Sequence, residues 1–145
     1  MFLADQVVQR LSERVPALEA RVEGVASLVQ LISANQLPQT TPAARVMASE
    51  IRGGAADAAS GVFRQAVEET VSVYLVLRNL QGGGRNELDR LYPIRDAIIE
   101  ALCGWAPEEA VGVFRLSRAH VLRIGEGTLV YQIDAVIMNQ LRIFT

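Results

Sequence analysis

Lysine is missing from all 145 positions, so the 14 basic side chains are all arginine. That absence excludes a Schiff-base lysine and a Walker-type phosphate lysine. One cysteine, Cys103, cannot form an internal disulfide, and with a single histidine, His120, there is no Cys/His set for a structural zinc. Charge of one sign is lacking too. The 14 basic and 16 acidic side chains give a net charge of −2, too weak a field to draw in nucleic acid or an anionic membrane. Long apolar runs are absent, and VYLVL at 73–77 is far too short to cross a bilayer. The opening MFLADQVVQR carries Asp5 within its apolar stretch and has neither a basic start nor a small-residue cleavage site. It does not read as a secretory signal, and a soluble, cytoplasmic protein is expected.

What is present is apolar: 50% of residues, with a mean hydropathy of +0.22. A small soluble monomer must keep its exposed apolar patches small, so this excess points to burial against sister subunits. The length suits one domain over 1–145.

Apolar positions Phe2, Leu3, Val7, Val8, Leu11 and Val15 recur at helical spacing, predicting a first helix that ends before Pro16. RVEG at 21–24 suits a short strand, and VASLVQLISANQ at 25–36 reads as a buried helix stopping before Pro38. LPQTTPAARVMAS reads as a loop feeding a strand near Arg45–Ala48. EIRGGAADAASG at 50–61, rich in Gly, Ala and Ser, reads as a mobile loop. Alternation in Val62–Arg78 predicts a long, mostly buried strand, with Val71, Val73, Leu75 and Leu77 on one face and Tyr74 and Val76 on the other. After the break QGGGRN at 81–86, the stripe Leu88, Leu91, Ile94, Ile98 and Leu102 predicts a helix, either kinked at Pro93 or beginning there. Val113–Ile124 and Thr128–Phe144, joined by GEG, should pair as an antiparallel hairpin. In the last strand Leu129, Tyr131, Ile133, Ala135, Ile137, Leu141 and Ile143 share one face, opposite Gln132, Asp134, Gln140 and Arg142. The order predicts an α+β domain with helices packed on one face of an antiparallel or mixed sheet.

Chemical groupings are weak. Cys103 falls near a helix C-terminus, where the dipole disfavours a thiolate, so it reads as a small core residue. His120 stands alone in a strand, and the glycine run lacks both a following lysine and GxGxxG spacing. Glu68 and Glu69 are strand neighbours that point to opposite faces and cannot share a proton. Gly104 suits the left-handed position after a helix, Trp105 can fold back as core, and Pro107 stops the helix from resuming. A buried Trp105 would cost about 3–5 kcal/mol on replacement by alanine. No catalytic residue, cofactor site or metal site is expected. A small enzyme or ligand-binding domain using Cys103, His120 or Tyr131 remains the reading from another class.

The corner ALCGWAP, with Val22-Glu23-Gly24 after the first helix, PAARVMAS, FRQAVEETVSVYLVLRN and a closing hairpin containing Tyr131, resembles the tail terminator family of long-tailed bacteriophages, also described as minor tail completion proteins. The resemblance spans most of the chain. It implies a virion tail protein, assembled in the host cytoplasm, without an active site. Six copies would form a homohexameric ring on the tail tube, stop tube growth and meet the head-tail connector, with no nucleic-acid sequence recognition and no membrane. Its partners would be itself, the tail tube protein and the connector. Another head-tail joining or minor tail protein of similar fold is the alternative. Candidate interface residues are Arg64, Glu68, Glu69, Arg78 and Arg85, each of which equally suits a solvated surface charge. Trp105, Cys103 and Tyr131 are the expected structural core.

Overall fold

The computed structural model describes residues 2–26, 37–78, 85–125 and 127–144. Helix α1 spans Leu3–Arg14 and buries Val7 and Leu11, one turn apart on the same stripe. It ends where the sequence demands: Pro16 disfavours helical backbone at Val15, which sits at φ −120°, and a short 3-10 turn, Pro16–Leu18, follows. Strand β1, Val22–Gly24, comes next; the helix expected over 25–36 lies almost wholly outside the described residues. Then come β2 (Ala43–Ala59), β3 (Val62–Arg78), α2 (Arg85–Leu102), β4 (Arg115–Gly125) and β5 (Thr128–Phe144).

The five strands form one mixed sheet in the order β1-β2-β3-β5-β4, with β1 parallel to β2 and every other pair antiparallel. With the two described helices this is an α+β fold. β3 is the spine, matched to β5 without interruption from Val62↔Phe144 to Arg78↔Thr128. Its alternation is visible in the packing. Val71, Val73, Leu75 and Leu77 join Leu129, Tyr131, Ile133, Ala135 and Ile137 in one core with Val7 and Leu11 of α1 and Leu91, Ile98 and Leu102 of α2. On the opposite face Tyr74, Val76 and Val130 close on Leu37 in a smaller cluster. Burial on both faces explains why this half of β3 is apolar at every position but Ser72.

One expectation narrows and another changes. α2 runs through Pro93, so of the two readings offered the helix does not begin there. Pro93 and Asp89 both lie on the exposed side, so water can satisfy the Asp89 carbonyl that loses its helical donor. The loop expected at 50–61 is instead strand through Ala59. Ser60 and Gly61, at φ 51° and 80°, make a two-residue hairpin with both central residues left-handed, which sets Ala59 opposite Val62. Pairing with β3 holds the Gly/Ala-rich segment extended where its own side chains would not. The closing hairpin forms as expected, β4 against β5.

Candidate functional site

Three strands outrun the rest of the molecule. β1 ends at Gly24, opposite Val46, and β4 pairs with β5 only as far as Arg115↔Val136. Beyond those points β2, β3 and β5 continue as a three-stranded arm to the hairpin tip and Phe144. At about 3.4 Å per residue, the β3 part of the arm from Val62 to Thr70 is roughly 27 Å long. Every residue of β2 from Ala48 to Ala59 is exposed. Large apolar side chains go uncovered: Ile51 is 60% and Phe144 75% exposed, with Met138, Leu141 and Ile143 exposed as well. Leu141 and Ile143 do share a face with Leu129–Ile137, but the core on that face ends at Ile137.

Both edges of the arm are blunted. β2 carries register shifts at Ala48/Glu50 and Gly53/Ala56, and bulges of this kind turn an edge away from strand addition. On β5, Gly112 lies against the Met138 backbone; a Cβ there would come within 3.2 Å of the Met138 carbonyl oxygen. Two residues on, the Gln140 amide donates to Asn139 Oδ1 at 2.9 Å. On this edge Gly112 covers the backbone at Met138 and the Asn139 side chain caps the Gln140 amide. The arm is therefore suited to side-chain docking more than to open-ended strand pairing.

The sequence-derived residues divide across this architecture. Arg64 and Glu68 share the open face of the arm, away from the helices. Arg64 stands directly opposite Arg142, and neither forms an ion pair among the described residues. Glu68 pairs with Arg115 at 3.3 Å. Glu69 turns to the helical face and accepts from Asn139 Nδ2 at 3.4 Å. Arg78, at the far end of β3, holds the segment before β2: its Nε donates to the Pro38 carbonyl at 2.6 Å, and its amide donates to Thr41 Oγ1 at 3.1 Å. The Arg85 side chain lies outside the described residues. Arg142, Ile51 and Phe144 were not singled out from sequence. The readable signal was Ser-Gly between two strand-length runs, which marks a hairpin and so a partner strand.

The corner after α2 is tied by backbone bonds. Gly104, at φ 84°, donates to the Phe114 carbonyl at 2.8 Å, and Phe114 donates to the Trp105 carbonyl at 3.0 Å. Trp105 is half-buried at the core margin. It stacks on Phe114 with centroids 5.9 Å apart, and the Arg10 guanidinium sits 5.0 Å over its ring. Arg10 also donates to the Ala101 carbonyl at 2.9 Å, fixing α1 to the end of α2. Cys103 is half-buried, and burial pushes its thiol above the usual range, opposed by a backbone hydrogen bond from Leu116; such a thiol is a poor nucleophile. Tyr131 is buried, at 6% exposure. His120 Nε2 lies 3.3 Å from Arg118, with no carboxylate among its hydrogen-bond partners.

A polar cleft of about 360 Å³ opens on the face away from the helices, floored by Ser72, Gln132 and Asp134. Ser72 Oγ donates to Asp134 Oδ1 at 2.6 Å and Gln132 Nε2 donates to the same oxygen at 2.9 Å, while Ser49 Oγ lies 2.8 Å from Ser72 Oγ. These groups satisfy one another, and no histidine is among the residues that line the cleft. Among the described residues no three His, Cys, Asp or Glu side chains are grouped to hold a metal. No described helix is long and apolar enough to cross a membrane.

The family model for the phage tail terminator protein matches residues 1–134, stopping within β5 short of the arm. A search of curated proteins gives no match. The match covers nearly the whole chain: the chain belongs to the phage tail terminator family, a structural rather than enzymatic family of the virion tail.

Proposed function

We propose that six copies of this chain close into a ring on the end of the tail tube, stop further addition of tube subunits and present their other face to the head connector. The observation that carries this reading is the arm, three strands with exposed apolar side chains on both faces and no covering element among the described residues. A ring is built from heterologous contacts that bury two different patches per subunit, and surface of this kind is what such contacts need. The blunted edges suit the task as well, because a terminator has to bind a repeating end without offering an edge that continues the repeat.

The test is native mass spectrometry of the purified protein, followed by electron microscopy with tail tubes. Sixfold particles seated on tube ends, and tubes that no longer lengthen, are expected. A protein that stays monomeric in the presence of tubes, with tube growth unchanged, would overturn the reading.

A further inference from the structure

Given the ring, the charges on the arm and at its base indicate how it closes. On the open face near the tip, Arg64 and Arg142 are directly opposed cross-strand neighbours. Like charges so placed repel. Asp57 stands opposite Arg64 on β2 but forms no ion pair among the described residues, and Phe144 lies two residues from Arg142 on the same face.

The reverse imbalance sits at the base of the arm, on the helical face. There the start of α1, the turn after Pro107 and β3 enclose a cleft of about 250 Å³ lined by Phe2, Glu69, Glu108, Glu109 and Ile137, with no basic side chain in its wall. The Glu108 amide donates to Gln6 Oε1 at 2.7 Å, which locks the turn to α1. The Glu108 and Glu109 carboxylates point out without an ion pair among the described residues, and Phe2 at the rim is 82% exposed.

We infer that the arm of one copy docks in this acidic corner of the next, with Arg64 and Arg142 against Glu108 and Glu109, and Phe144 against Phe2. The two patches differ and lie on opposite faces of the sheet, so a series of such contacts runs head-to-tail and can close into a circle. Each side relieves the other's like-charge conflict. The arm's length of roughly 27 Å compares with a radius of gyration of about 15 Å for a chain of this size, which gives it the reach to overlap a neighbour.

One-sided variants test the contact, because all four charged positions are exposed and their exchange should leave the fold intact. R64E/R142E and E108R/E109R, each confirmed folded by circular dichroism, should fail to form rings under conditions where the wild type does. Mixed in equal amounts they should form rings in which the two variants alternate, since the basic arm of one meets the acidic corner of the other and the acidic arm meets the basic corner. The four substitutions combined in one chain should restore rings. Rings formed by both one-sided variants at wild-type concentration would overturn the contact while leaving the ring itself standing. A wild type that forms no ring under any condition, tubes included, would overturn both.

Discussion

The sheet has two halves with the same strands and opposite fates. Between Val71 and Leu77, β3 is buried on both faces, by the helices on one side and the Leu37 cluster on the other. Between Val62 and Thr70 the same strand keeps its full ladder to β2 and β5, yet only Val67 is buried. Backbone pairing alone therefore extends a strand well past the point where packing stops. Residues of the packed half answer to the stability of one molecule, and those of the arm to the molecule's neighbours.

Substitutions should separate the halves. The largest effect is expected at Leu75, which is fully buried: Leu75→Ala should lower stability by about 2–5 kcal/mol, read from the denaturant midpoint, whereas Phe144→Ala should stay within about 0.5 kcal/mol. An equal loss at both sites would erase the distinction. Trp105→Ala falls below the about 3–5 kcal/mol of a fully buried tryptophan, because the ring is half-exposed and packed between Phe114 and Arg10. Arg78→Ala removes the clamp on Pro38 and should cost about 1.5–3 kcal/mol without changing ring formation; a ring defect with stability intact would return Arg78 to the interface. The smallest effect is in the pH profile. Burial, the largest cause, pushes the Tyr74 phenol up; Asp134 adds to the shift and the Ser72 hydrogen bond opposes it. The unfolded chain then ionises first, so stability present below about pH 10 is lost as pH rises beyond it. Tyr74→Phe should flatten that decline, measured by denaturation across the alkaline range.

Much of the packed half was legible in the sequence, because burial writes periodicity into side chains: the stripe of α1 and the alternation of β3 follow from it, while the glycines of GEG mark the break between β4 and β5. The arm was not. Residues 50–59 contain few large apolar or β-branched side chains, and what holds them extended is a partner strand reached through Ser60-Gly61, a nonlocal cause that composition does not record. The charged candidates on β3 had the same difficulty. Arg64 and Arg78 look alike in the chain, yet one faces solvent beside Arg142 and the other closes on Pro38. Which is which depends on where the covering elements end.

Amide hydrogen exchange, compared between the free protein and the protein on tail tubes, tests most directly whether the arm serves assembly. In the free protein the Val71–Leu77 amides should exchange slowly and those of 50–59 and 140–144 quickly. On tubes the arm should become protected while the packed half stays unchanged. Arm exchange equally fast in both states, in particles shown to be assembled, would contradict it.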